Sequence, residues 1–327
     1  MKIKSSVIEN KFLRVKTINL GATLYEVFHK KKKTNLILNL GSISSYKYKN
    51  LYVGATCGRF AGRIAGSKFQ INKQKYYLNK NEGINTLHGG KKGFDRFVWK
   101  KINQTKNKIV YQLKSKHLDQ GFPGNLDIKC IYELENKILN IRYEYISDQF
   151  THVNLTNHSY WNLNYKKNDN IFNHKLKINS DKYLVVNKKL IPTGKIKRTK
   201  KTINNFKYYE NLGEKIKLIT NNTIKKISNT INQSGFDLTF CVNKNHNNFV
   251  ASLKNDYSKI KLNIYSSLPG VQLYTSQSLK YKKKLFPYQG ICLETQYYPD
   301  TPNRKKFPST LIKPNKLYKH FTKIKVS

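Results

Sequence analysis

Long apolar runs are missing from this chain of 327 residues. No stretch reaches the roughly 18 consecutive apolar residues that a transmembrane helix needs, so no membrane partner is expected. The first ten residues, Met1 to Asn10, lack the apolar core of a secretory signal. Cysteine is scarce: Cys57, Cys130, Cys241 and Cys292 stand singly and form no CxxC pair. That pattern predicts buried free thiols in a reducing, cytoplasmic setting. There is no HExxH, GxGxxG or GKS/T, so the zincin and phosphate-loop signatures are absent. His88 and His158 lie far apart without a close-spaced partner, and His152 and His158 are a weak pair, so no metal is expected. Heptads, exact internal repeats and a long amphipathic helix are also lacking.

Acidic residues and arginine are the other shortages. Asp and Glu number 18 against 62 Lys and Arg, a formal net charge of +44, yet arginine stands at only seven positions. Phosphate readers favour arginine for its planar fork. The basic excess is lysine spread end to end with Asn, Ile and Tyr, with no basic tail. It reads as compositional bias on a solvated surface, not specific nucleic-acid binding. Its physical consequences are self-repulsion at low salt and non-specific adhesion to anionic polymers.

What is present points to strands. Hydrophobic residues make up 38% and aromatics 13%, enough for a sizeable core. Short alternating segments recur: 12–18, 23–28, 35–40, 108–113, 126–134, 138–145, 181–186, 190–196 and two around 255–258. Residues 67–87 read as two short strands, and the region from 308 onward as a terminal strand. Residues 195–230 are polar and read as surface loops or a short helix. Many strands with polar connections predict an all-β protein, a large antiparallel β-sandwich, rather than alternating β/α units.

Against that background a few residues stand out. Glu294 follows the apolar run Ile291-Cys-Leu293 and precedes the turn-forming Pro299-Asp-Thr-Pro302. A buried strand delivering a carboxylate to its edge would raise that carboxylate's pKa unless hydrogen bonds hold it down. It is either a general base or half of a structural ion pair. Arg59 and Arg63 lie four apart in a glycine-rich stretch, chosen for their forks or merely surface arginines near a turn. His88, before Gly89-Gly90, sits in a loop, with a functional or a hydrogen-bonding role. If residues 151–163 are extended, His152, Thr156, His158, Tyr160 and Asn162 share one face. Such a line suits a carbohydrate cleft, or is simply an aromatic-rich strand. Asp237 either caps a turn or meets a ligand, and Asp95 and Arg96 could pair with neighbours.

Taken in order, several islands resemble the aldose 1-epimerase (galactose mutarotase) family. They are Gly58-Arg-Phe-Ala-Gly-Arg-Ile64, Asn85-Thr-Leu-His-Gly-Gly90 with Gly93-Phe-Asp-Arg96, Thr156-Asn-His-Ser-Tyr-Trp-Asn-Leu163, Ser234-Gly-Phe-Asp237, Pro269-Gly-Val-Gln-Leu-Tyr-Thr275, and Cys292-Leu-Glu-Thr-Gln296 with Pro299-Asp-Thr-Pro-Asn303. The resemblance implies one β-sandwich domain over residues 1–327 with an open sugar cleft. It implies Glu294 as catalytic base and His158 as catalytic acid, with His88, Arg63 and Asp237 holding the sugar. Neither cofactor nor metal is implied. The partner would be a small free aldose such as glucose or galactose, and the protein a monomer or homodimer. Two departures stand out: Gly62 where the family commonly has Asn, and Trp161 where it has Phe.

The implied reaction interconverts α and β anomers. A base takes the C1 hydroxyl proton while an acid protonates the ring oxygen; rotation about C1–C2 and reclosure follow. His158 must then carry a proton, which Asp237 or Glu294 would help it keep. Alternatives are an epimerase for hexose 6-phosphates, which calls for an arginine cluster, and a non-catalytic sugar-binding module.

Overall fold

The computed structural model describes residues 2–47, 51–166, 169–221, 234–244 and 246–327. Its largest element is a nine-stranded antiparallel sheet. The spatial order is Lys100–Gln104, Lys108–Ser115, Leu126–Glu135, Ile138–Ser147, Tyr318–Val326, Ile260–Ser266, Phe249–Asn255, His174–Ile178 and Glu210–Asn211. Sequence period explains the faces. In Ile260–Ser266, Ile260, Leu262, Ile264 and Ser266 are buried while Lys261, Asn263 and Tyr265 are half-exposed. Alternating apolar and polar side chains leave one face for a core.

Two smaller sheets bring apolar residues to the same core. One holds Ser5–Glu9, Leu13–Ile18, Thr23–His29 and Thr34–Asn35; the other runs Pro192–Arg198, Lys182–Val186, Asp237–Cys241, Gly270–Tyr274 and Cys292–Gln296. One continuous cluster joins Val15, Leu24 and Val27 of the first, Leu238, Val271 and Leu293 of the second, and Tyr111, Ile128 and Ile264 of the nine-stranded sheet. Buried hydroxyls cross the layers: Tyr132 donates to the Ala22 carbonyl at 2.6 Å, and Thr17 and Tyr111 share a bond of 2.8 Å. The chain is an antiparallel β-sandwich, as expected.

Two local expectations change. The predicted strand 35–40 is regular only at Thr34–Asn35. The Asn35 side chain takes over the ladder: its Oδ1 accepts from Val27 N–H and Ile37 N–H, and its amide donates to the Ile37 carbonyl. In the polar region, Pro192–Arg198 is a strand and Leu212–Thr220 a short helix, capped by the Asn211 side chain accepting from Glu214 N–H at 3.0 Å. Residues 222–230 of that region lie outside the described residues.

Arg59 is no surface arginine; it is 2% exposed. Its Nη1 donates to the carbonyls of Phe122, Pro123 and Gly124, and its Nη2 to the Ser115 hydroxyl and the Ser115 and Lys116 carbonyls. One guanidinium thus pins the 115–124 loop against the glycine-rich stretch. A lysine cannot span both groups of carbonyls. Arg59→Lys should cost about 2–4 kcal/mol of folding free energy. Urea unfolding checks this; an unchanged midpoint would remove the pinning role.

Candidate functional site

The floor of the site is written in period two. Asp237 and Thr239, Gln272 and Tyr274, and Glu294 and Gln296 are alternate residues of three adjacent strands, and all six line one cleft of about 490 Å³. Strand register aligns them: Thr239 lies opposite Gln272, Asp237 opposite Tyr274, and Gln272 opposite Glu294. The intervening Leu238, Leu273 and Leu293 point into the core. Hydrogen bonds tie the floor together. Thr239 donates to the Gln272 amide oxygen, and the Gln272 amide donates to Asp237 Oδ1 at 2.5 Å.

Loops supply the walls. Arg63 pairs with Leu87 across a two-residue ladder, which brings His88 beside it. His88 N–H donates to the Gly62 carbonyl at 3.0 Å, and Gly62 N–H donates back to His88 Nδ1 at 3.2 Å. His158 N–H donates to the Ala55 carbonyl, and its own carbonyl accepts from Gly54 N–H. Trp161 bridges Ile37 and Ile291, which keeps this segment alongside the Glu294 strand.

All five predicted site residues therefore line one cleft: Glu294, His158, His88, Arg63 and Asp237. His158 Nε2 lies 3.8 Å from Glu294 Oε1, and the two imidazole rings are 5.4 Å apart edge to face. The predicted polar line at 151–163 is only half realised. His158 and Tyr160 reach the cleft. His152 bonds Thr310, Thr156 donates to the Thr295 carbonyl, and Asn162 donates to the Gln289 and Asp169 carbonyls. The segment breaks into two-residue ladders, so parity does not carry along it. Arg96 pairs with neighbours as expected, donating to the Tyr46 and Lys47 carbonyls, and Asp95 is buried.

Glu82, Tyr52, Gln272, Tyr274 and Gln296 also line the cleft and were not singled out from the sequence. The last three were within reach, because alternation through Glu294 and its neighbouring strand names them. Glu82 was not, since a loop carries it.

Electrostatics divide the site sharply. Glu294 is 3% exposed and, among the described residues, its Oε2 has no hydrogen-bond partner. Burial pushes its pKa well above the ordinary carboxylate range; the Asp237 charge adds to this and Arg63 opposes it. Burial also raises Asp237, with Arg63 and the Gln272 amide pulling it back. Burial pushes His158 down to about 4. Neighbouring carboxylates were expected to help His158 keep a proton; burial works against that, lowering His158 while it raises Glu294.

His88, His158 and Glu294 can each put one ligand atom within 4.8 Å of the others. The donor set still does not suit a cation. Gly62 N–H occupies the lone pair of His88 Nδ1, so the neutral ring carries its proton on Nε2. That nitrogen then has no lone pair for a metal and is instead a hydrogen-bond donor. Burial and the charges of His158 and Arg63 hold His88 well below the usual histidine range. Nitrogen-15 NMR should find His88 as the neutral Nε2–H tautomer throughout about pH 5–8. An imidazolium appearing near pH 6.5 would contradict this.

The sequence matches the family description "Aldose 1-epimerase" over residues 4–325. It is 32% identical to galactose mutarotase of Homo sapiens over 98% of this chain and 93% of that protein. It is 29% identical to aldose 1-epimerase of Escherichia coli K12, over 88% and 83% of the two chains. Among solved structures, an aldose epimerase homologue from C. elegans superposes with a TM-score of 0.90 at 25% identity, covering 100% of this chain and 99% of its own. A galactose 1-epimerase from Lactobacillus acidophilus gives 0.84 at 26%, with the same coverage.

Proposed function

The chain belongs to the aldose 1-epimerase family, and from that premise we propose how its cleft interconverts the α and β anomers of free hexoses. The protein is a carbohydrate isomerase, a mutarotase. The observation that carries the residue assignment is the meeting of His158 and Glu294, 3.8 Å apart in one cleft with His88, Arg63 and Asp237.

Ring opening needs one proton acceptor and one proton donor on the same hemiacetal. The pair holds one proton between its two groups. Burial favours the neutral arrangement, with the proton on Glu294. Transfer of that proton to His158 gives the working form. Glu294 then takes the C1 hydroxyl proton and His158 protonates the ring oxygen. The open aldehyde rotates about C1–C2, and the two groups exchange roles on closure. Arg63 favours the anionic form of Glu294. The His88 Nε2–H, the Arg63 guanidinium and the Asp237 carboxylate orient the sugar oxygens. Each positioned acid or base is worth roughly 10²–10⁴-fold.

Glucose and galactose are the proposed substrates. The cleft's charge supports a free sugar over a phosphorylated one. Among the described lining residues, Arg63 is the one cation and Glu82, Asp237 and Glu294 are acidic. A phosphate dianion would meet carboxylates there instead of an arginine cluster. A non-catalytic module would have no use for a buried carboxylate with an unpartnered oxygen beside a histidine. The continuous core supports reading the chain as one domain. Four buried free thiols support a reducing, cytoplasmic setting.

Polarimetry of freshly dissolved α-D-glucose and α-D-galactose should show equilibration accelerated by the protein, with glucose 6-phosphate served far less well. Glu294→Gln should lower kcat on the order of 10²–10⁴-fold with sugar binding retained; full turnover by that variant would sink the base assignment. The pH profile is a separate check. The one-proton state is lost when His158 takes up a second proton, so kcat/KM should hold from neutrality down and fall only near pH 4. A fall centred near pH 6.5, the ordinary histidine range, would contradict the assignment.

A further inference from the structure

We infer that Glu82 is a positioning residue of the mutarotase reaction, acting by holding Arg63 away from Glu294. This rests on the reading of the cleft given above. Glu82 grips Arg63 with both oxygens: Arg63 Nε donates to Oε2 at 2.6 Å and Nη2 to Oε1 at 2.7 Å. A two-point grip fixes the guanidinium plane, which a single contact would not. Among the described residues, the remaining nitrogen, Nη1, takes no part in that grip.

The need for such a grip follows from the charges around it. Asp237, Glu82 and Glu294 all attract the Arg63 guanidinium. Glu294 is almost fully buried and has one oxygen without a partner. An untethered arginine would be drawn toward the other carboxylates it feels, Asp237 and Glu294. It would then stabilise the anion, weaken the base and withdraw from the sugar. Glu82 competes successfully because its grip is bidentate, and because its backbone is itself fixed.

That fixing is visible in the 79–90 loop. Glu82 and Asn85 exchange backbone hydrogen bonds across a tight turn, and the Asn81 side chain ties Leu87 and Gly90. The same loop presents His88. Arg63 and His88 are therefore set by one piece of chain, with Glu82 as the link between its turn and the cleft. Glu82 remains more exposed than Arg63, 35% against 15% for the side chains, as suits a residue that works from the rim.

Glu82→Gln keeps the shape and removes the charge. It should lower kcat/KM on the order of 10–100-fold while leaving the folded circular dichroism spectrum intact. The pH profile should move to lower pH, because a released Arg63 favours the Glu294 anion more strongly. Glu82→Asp should recover part of the activity. In a cycle with Arg63→Met, which removes the cation, the double variant should be no slower than Arg63→Met alone, since Glu82 acts through Arg63. Additive losses, or an E82Q protein with wild-type kcat, KM and pH profile, would overturn the inference. So would an E82Q protein that loses activity only by unfolding. Absence of mutarotase activity in the wild-type protein would instead strike the reading of the cleft.

Discussion

A buried carboxylate with one unpartnered oxygen sets the terms for everything around it. Glu294 sits in the middle of an edge strand, enclosed by the cleft walls. Leaving an anion there uncompensated costs several kcal/mol, so burial shifts the group toward its protonated form, with Arg63 opposing. Burial disfavours the imidazolium of both His158 and His88 for the same reason. In the proposed reaction, one mobile proton is shared between these poorly solvated groups. Little solvent must then reorganise when the proton moves.

The second constraint is keeping lysine out. The chain carries a net charge of +44, yet no lysine is among the described residues lining the cleft. An ammonium beside Glu294 would lock it as an anion in a permanent ion pair. Beyond about 8 Å, surface charge is largely screened at physiological salt, so the lysine-rich exterior leaves the interior chemistry little changed. The one cation admitted is Arg63, and its charge is already shared with Glu82. Composition and function are thus decoupled by distance. This is why the basic bias is a poor guide to the partner.

How far the site could be read from residues alone follows from the elements that carry it. Glu294, Asp237 and Gln272 lie on strands whose apolar alternation is visible, and the sandwich follows from the same pattern. His88, Arg63 and His158 stood out because of their company: glycines, a second arginine, and aromatic neighbours. What no local pattern encodes is the Arg63–Glu82 grip, which depends on the path of a loop. Nor does local pattern reveal that Arg59, four residues from Arg63, serves the core while Arg63 serves the cleft. Both have arginine's fork, and only their surroundings separate them. The opposite error arose at residues 151–163. Parity was extended across a segment that changes partners every few residues, and so placed His152, Thr156 and Asn162 on a face they do not share with His158 in the cleft.

The two halves of the site differ in how they tolerate change. The floor is set by register. Sliding the strand Cys292–Gln296 by one residue against Gly270–Tyr274 would turn Glu294 into the core and offer Leu293 to the cleft. Such a slip would bury a carboxylate among aliphatic side chains and expose apolar surface in the same step. Folding energetics therefore reject it before activity is ever tested. The walls have no such guarantee. His88 and Arg63 depend on a few hydrogen bonds within loops, whose small free energies permit local adjustment. The proposed acid and base thus meet across a boundary: Glu294 is held by the sheet, His158 by the loop that crosses its end. Fold stability guards the position of Glu294, and in the proposed reaction the loops decide which sugar oxygens meet it.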